Sequence, residues 1–143
     1  MKEYIVSVEF STITGLRYCS ESDFSGEEFY HKLLNGWFAE AFSKKEQFKV
    51  ILDGGEDGYG PSFRDEAFGN LIYDFSKAEV ERWMVLEAPG DDLWREDIVN
   101  YTFEEWEERR KSGAKPKKTE NHPEWYRLDN GQLEKKVWIN KNE

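Results

Sequence analysis

Hydrophobic and polar residues recur at regular spacings along the chain, and these spacings predict a series of short strands and helices. Tyr4, Val6, Val8 and Phe10 alternate with other residues, which is the period of a strand with one buried face. The apolar runs at 48–52 and 83–86 are typical of strands buried in a sheet. Residues 16–18 are a candidate for one more short strand.

Helical spacing fills the segments between these strands. Apolar residues recur there every three or four positions, as on the buried face of a helix. Each segment follows a serine or aspartate, whose side chain accepts a hydrogen bond from a free N–H at a helix start. The order of elements predicts an α/β fold, a small mixed sheet packed with helices. The predicted capping residues are Ser25, Ser62, Ser76 and either Asp91 or Asp92.

The pattern changes after Trp106. A basic stretch around 109–118 contains a glycine and a proline and is typical of a linker. Asn130-Gly131 then separates two aromatic-rich runs, which predicts a β-hairpin. Because an isolated hairpin is only marginally stable, we expect it to dock on the main domain or on another chain. The predicted units are a domain at 1–106, a linker at 107–122 and a hairpin at 123–143.

The composition is that of a globular domain. Of the 143 residues 38% are hydrophobic and 16% aromatic, enough for a substantial core. Cys19 is the only cysteine, which excludes an intramolecular disulfide and a cysteine cluster for zinc. The first residues contain no apolar stretch of the length of a signal peptide or membrane span. We therefore expect a cytoplasmic protein with no membrane association, no cofactor and no metal.

The charge argues against nucleic acid as a partner. The net charge is −10, whereas binding a phosphate backbone requires clustered Lys and Arg. Residues 1–102 contain 21 acidic and 10 basic residues, whereas residues 103–143 contain 9 acidic and 10 basic residues, so the negative charge lies in the first part of the chain. An acidic surface of this kind either keeps the protein soluble or attracts a basic partner.

No arrangement of residues in the sequence indicates catalysis. His31 lies on a predicted helix surface and His122 in the predicted linker, and neither has a cysteine or serine partner evident from its position. The acidic pairs 27–28 and 91–92 lie at helix starts, where they complement the helix dipole. The glycine-rich loop at 53–61 matches neither a calcium loop nor a P-loop. We expect the protein not to be an enzyme.

Three runs around this loop, at 50–53, 58–63 and 65–71, resemble the signature of the STAS-like domain family of unknown function. In that family a buried strand leads through a glycine and serine turn into a helix that begins Ser-Phe and contains Glu-Ala-Phe-Gly. Ser62-Phe63 and residues 66–69 match that pattern here. The resemblance covers about residues 4–102 and leaves the linker and hairpin outside.

The resemblance implies a relation to bacterial anti-sigma factor antagonists. In those proteins a kinase-like partner phosphorylates a serine at the start of the helix after the central strand, and Ser62 matches that position. The implied partner is an ATPase of the histidine-kinase type. Residues 60–63 read Gly-Pro-Ser-Phe, where the antagonists have Asp-Ser-Ser-Gly. A phosphate on Ser62 would lie at the free N–H groups of a helix start and change the charge of a partner-binding face.

The start of this helix is the predicted partner-binding surface, and several roles for its residues stay open. Ser62 is either only a helix cap or also a regulated hydroxyl. Tyr59 either is read by a partner or covers the base of its own loop. Arg17 either holds the segment from 57 to 66 by a charged bond or is solvated, and Arg64 is expected to pair with an acidic neighbour. The surface comprises Arg17, Tyr59, Ser62, Phe63, Arg64, Asp65 and Glu66.

Two functional hypotheses follow from these observations. The first is a regulatory protein-interaction module that switches a kinase-like ATPase through the surface around Ser62. The second is an inhibitor or decoy of phage or mobile-element origin, whose acidic face blocks a basic site on a host protein. The first depends on Ser62, whereas the second predicts salt-sensitive binding that is indifferent to Ser62.

Overall fold

A computed structural model describes residues 1–56, 58–114, 122 and 124–138. Its central sheet has three parallel strands in the order β1-β2-β3. Parallel strands need long crossover connections, and helices provide them here. The predicted α/β fold, with helices packed on a sheet, is confirmed, although the three strands are all parallel rather than mixed. The strands are β1 (Lys2–Ile5), β2 (Phe48–Ile51) and β3 (Met84–Glu87).

Within the described residues, five helices accompany the sheet. Two of them contain a π-helical segment, Tyr30–Leu34 in the second helix and Ile98–Thr102 in the fifth. None of the helices in the described ranges is long and apolar enough to cross a membrane. The helices are α1 (Val6–Glu9), α2 (26–44), α3 (Pro61–Phe75), α4 (Lys77–Trp83) and α5 (92–112).

The first strand is shorter than the alternating pattern predicts. β1 ends at Ile5, and a helical turn replaces the second half of the predicted strand. The reason is the neighbouring strand: Ile5 pairs with Ile51, the last residue of β2, so later residues have no strand to pair with. The side chain of Asp53 instead accepts the Ser7 N–H at 3.2 Å. The candidate strand at 16–18 is also wrong, since Leu16 lies in no regular element and Arg17 and Tyr18 form a bend.

The core between the sheet and the helices is rich in aromatic side chains. The rings of Phe29 on α2 and Phe63 on α3 stack at 5.7 Å, and both side chains are fully buried. Trp106 brings α5 onto α3 and is fully buried as well. Large aromatic side chains bury much apolar area each, so these contacts fix the positions of α2, α3 and α5 around one core.

The hairpin is formed by β4 (Trp125–Asp129) and β5 (Gln132–Lys136), which confirms its prediction. Asn130 and Gly131 both have positive φ, as the tight turn between the strands requires. The hairpin docks on α2, where the Asn35 side chain donates to the Tyr126 carbonyl and accepts from the Tyr126 N–H, both at 2.9 Å.

The predicted division into domain, linker and hairpin stays a prediction. α5 continues to Ser112, so residues 107–112 of the predicted linker are helical. Gly113 follows in the left-handed conformation that commonly ends a helix. Residues 115–121 of the linker lie outside the described residues.

Candidate functional site

The glycine-rich loop delivers the chain from β2 to the start of α3. Gly58 has φ of 74°, and a Cβ there would lie 2.7 Å from the Trp94 ring, so only glycine fits without displacement. Pro61 occupies the first position of α3, where its missing N–H costs nothing. Gly60 is the N-cap, so the prediction that Ser62 caps the helix is wrong. Ser62 lies one residue inside the first turn, is exposed, and forms no hydrogen bond to another described residue through its hydroxyl.

Tyr59 covers the base of its own loop. Its side chain is 3% exposed, and its hydroxyl donates to Asp53 at 2.7 Å. Its ring packs edge-on against Trp94 with 5.1 Å between centroids. Burial, with the Asp53 carboxylate, raises the pKa of Tyr59. Of the two alternatives for Tyr59, the structure therefore shows that it covers the base of its loop.

Arg17 joins the segment before α2 to the first turn of α3. Its Nη1 lies 2.7 Å from an Asp65 carboxylate oxygen and 3.2 Å from one of Glu66. The structure thus shows the charged bond and not the solvated alternative. Trp106 Nε1 donates to the other oxygen of the Asp65 carboxylate at 3.0 Å. This bond connects α5 to the first turn of α3.

Glu66 is a buried acid in this network. Its side chain is fully buried, and the amide of Asn70 donates to it at 2.9 Å. Burial raises the pKa of Glu66 to about 7, although Asn70 and the charge of Arg17 act in the opposite direction. A carboxyl group in this position changes its protonation near neutral pH.

A surface cavity of ≈ 370 Å³ lies beside Ser62, between the start of α3 and α5; we call it the Ser62 cavity. Arg64 lines it and pairs with Asp97 on α5 at 3.2 Å, not with either acidic neighbour in sequence. Tyr101 also lines it and is 71% exposed, a large aromatic in a position that a partner can reach. No pattern in the sequence indicated Asp97 or Tyr101 as site residues, because they lie far along the chain from Ser62 and only the packing of α5 brings them near.

The structure divides the predicted partner-binding surface into accessible and buried residues. Phe63 and Glu66 are fully buried and Tyr59 nearly so, which argues against direct contact of a partner with these three. Phe63 and Tyr59 pack into the core and Glu66 into the Arg17 network, while the partner-binding role of the surface as a whole stays a prediction. Ser62 is exposed, and Arg17, Arg64 and Asp65 are partly or marginally accessible.

The two histidines lie together, which the sequence did not predict. The ring of His31 stacks on that of His122 at 4.1 Å, and it packs edge-on against Trp125, so His31 is not a helix-surface residue. Burial and the neighbouring His122 lower the pKa of His31 to about 3. His122 in turn approaches Cys19 and Glu27, residues about a hundred positions earlier in the chain.

Comparison with known protein families gives a match over the middle of the chain. Residues 25–92 match a family model described as a STAS-like domain of unknown function. Searches of the curated proteins and of the solved structures gave no match. The matched range includes Ser62 and the loop before it, but not Arg17, Tyr101 or the hairpin. The match confirms, over residues 25–92, the resemblance to the STAS-like domain family.

Proposed function

We propose that the chain is a regulatory protein-interaction module whose partner contacts the Ser62 cavity. The observation that carries this proposal is the position of Ser62: it is exposed in the first turn of a fifteen-residue helix that follows the central strand β2. The proposal is supported by the family match, since this turn lies within residues 25–92, which resemble a STAS-like domain. The exposed ring of Tyr101 beside it offers the kind of amphipathic contact that protein interfaces favour.

The finer proposal is that a kinase-like ATPase of the histidine-kinase type phosphorylates Ser62. A phosphate there would add a charge of about −1.5 to −2 at a helix start, where free N–H groups favour an anion. Arg17 and Arg64 are the two cations among the described residues that line the same cavity. Each already pairs with an aspartate, so the phosphate would compete with Asp65 and Asp97 for them. Phosphorylation would thereby weaken the Arg64–Asp97 pair between α3 and α5 and alter the surface that the partner reads.

We propose a binding role without catalysis. In a nucleophilic enzyme the base uses one ring nitrogen for the nucleophile and the other for the acid that orients it. His122 presents the same nitrogen, Nε2, to Cys19 and to Glu27. This geometry does not support a Cys-His-Glu relay.

The test combines phosphorylation with binding. The chain is incubated with an ATPase of the histidine-kinase type and ATP, and phosphopeptides are mapped by mass spectrometry; we expect phosphate on Ser62 and none in Ser62→Ala. Binding to the same ATPase is then measured for Ser62→Asp and Tyr101→Ala, and we expect at least about a tenfold loss of affinity for each. Ser43→Asp is the matched control, because Ser43 is exposed on α2 outside the cavity.

Two results would contradict the proposal. Binding that is unchanged in both Ser62→Asp and Tyr101→Ala would exclude the Ser62 cavity as the contact surface. Binding to a basic protein that falls steeply with salt and ignores Ser62 would favour the inhibitor hypothesis instead.

A further inference from the structure

Three potential metal ligands from distant parts of the chain converge beside the start of α2. His122 Nε2 lies 3.9 Å from Cys19 Sγ and 3.0 Å from Glu27 Oε2. The three ligand atoms all lie within 4.8 Å of one another. With zinc-ligand distances of about 2.0–2.3 Å, neighbouring ligand atoms of a tetrahedral site are roughly 3.3–3.6 Å apart. The two separations at His122 fall on either side of this range, so small side-chain movements would bring all three atoms to one ion.

The direction of the ligand atoms also fits a metal site. A hydrogen-bonded relay would use both nitrogens of the imidazole, whereas a metal ion uses one. Cys19 and Glu27 both face Nε2 of His122. The same nitrogen of His122 is therefore close to both of the other ligand atoms, as in a site where three ligands share one ion.

The protein holds these groups in place before any ion binds. Glu27 is fully buried, and its Oε1 accepts the Cys19 N–H at 3.0 Å, which turns Oε2 toward His122. The Glu27 N–H donates to the Arg17 carbonyl at 3.0 Å and fixes the segment that carries Cys19. The His122 ring is supported by its stacking on His31. Contacts of this kind orient the ligands of known metal sites.

His31 adds two further polar atoms next to the cluster. Both ring nitrogens of His31 are buried, and neither has a hydrogen-bond partner among the described residues. Buried polar atoms almost always have a partner, often an ordered water. Because the His31 ring stacks on His122, these unpaired nitrogens lie beside the cluster without being among its ligands.

We propose that Cys19, Glu27 and His122 bind a divalent ion of the zinc class, with water in the fourth position. A thiolate and a carboxylate supply two negative charges, which Zn²⁺ neutralises, and the mixed sulfur, nitrogen and oxygen set is one that zinc accepts. The sequence indicated no metal because a single cysteine forms no cluster; the other two ligands arrive by folding. The ion would tie His122 to Cys19 and to Glu27 at the start of α2.

The test uses the full chain, stripped with a chelator and then titrated with Zn²⁺ against a chromophoric competitor. We expect one ion per chain and a higher Tm in the loaded protein. Co²⁺ in place of Zn²⁺ should give the absorption band of a cobalt–thiolate bond. Cys19→Ser should abolish that band, and His122→Gln should weaken zinc binding at least about tenfold and remove the Tm increase.

Glu28→Gln is the matched control, since it neutralises the acid next to Glu27 outside the cluster, and it should bind zinc like the original chain. His122 lies outside the helices and strands, so His122→Gln tests the site without replacing the buried Glu27. Weak or multiple binding, or binding unaffected by Cys19→Ser and His122→Gln, would overturn the proposal. Because no step involves Ser62, this result is independent of the proposed function.

Discussion

The indole of Trp106 lies directly against the backbone of Gly69, so that a Cβ at residue 69 would overlap the ring. This close approach lets α5 cross α3 near enough for Trp106 Nε1 to reach Asp65. Asp65 also forms an ion pair with Arg17. The packing of Gly69 against Trp106 therefore helps to position the Asp65 carboxylate at the edge of the Ser62 cavity.

Gly69→Ala should therefore destabilise the protein, although alanine favours helices more than glycine does. The overlap with Trp106 is expected to lower the free energy of unfolding by about 1–3 kcal/mol. Gly36→Ala is the matched control in α2: a Cβ there has no neighbour within 4 Å, so we expect stabilisation of up to about 1 kcal/mol. Urea denaturation measures the free energy of unfolding of both variants. Equal changes in Gly69→Ala and Gly36→Ala would contradict the close contact of residue 69 with Trp106.

Ser62→Ala should leave stability nearly unchanged, because Gly60 and not Ser62 is the N-cap of α3. We expect a change within about 0.5 kcal/mol in the free energy of unfolding. Ser25 truly caps α2, its hydroxyl accepting the Glu28 N–H at 3.1 Å, and Ser25→Ala should cost about 1 kcal/mol or more. Thermal unfolding of the two variants compares them, and a large loss in Ser62→Ala would mean that its hydroxyl has a structural role.

The raised pKa of Glu66 predicts a pH dependence of stability. Between the ordinary value of 4.5 and about 7, the native state keeps a proton on Glu66 that the unfolded chain has lost. The contribution of Glu66 to the free energy of unfolding is therefore fully present below pH 4.5 and is lost as the pH rises toward 7. At about 1.4 kcal/mol per pH unit, the total loss is about 3 kcal/mol.

Glu66→Gln should remove this dependence, so that its stability curve falls less steeply between pH 4.5 and 7 than that of the original chain. Urea denaturation across this range measures the difference. Glu105→Gln replaces a glutamate whose side chain is 57% exposed and should keep the original slope. Parallel curves for Glu66→Gln and the original chain would show that Glu66 has an ordinary pKa.

Arg127→Met should destabilise the docked hairpin. Arg127 Nε lies 2.6 Å from Asp74, whose side chain is 3% exposed, and removal of the cation leaves a buried acid without its charged partner. We expect a loss of about 3 kcal/mol in the free energy of unfolding. Lys135→Met changes an exposed cation of the same hairpin and should have little effect. The double variant Arg127→Met/Asp74→Asn should recover part of the loss, and no recovery would exclude the ion pair as its cause.

Local patterns were sufficient for much of the fold. The capping serine of α2, the aspartate at the start of α5 and the Asn130-Gly131 turn act through bonds to residues a few positions away, so sequence alone indicates them. The apolar run at β2 also predicts its strand, because a strand buried on both faces needs continuous hydrophobicity.

Other features depend on contacts that local patterns do not contain. The alternation at Val6 and Val8 favours a strand, but β2 ends opposite Ile5, and without a pairing partner the chain turns into a helix. Ser62 has the residue type of a cap, yet Pro61 fits the first helical position and moves the cap to Gly60.

The sequence by itself determined the alternation of strands and helices, the hairpin and the STAS-like signature, because each is encoded by neighbours along the chain. Only the tertiary structure decided that Arg64 pairs with Asp97, that Tyr101 lies beside Ser62, and that His122 meets Cys19. Such pairs are separated by tens of residues, and their distances follow from how the helices pack on the core rather than from any local periodicity.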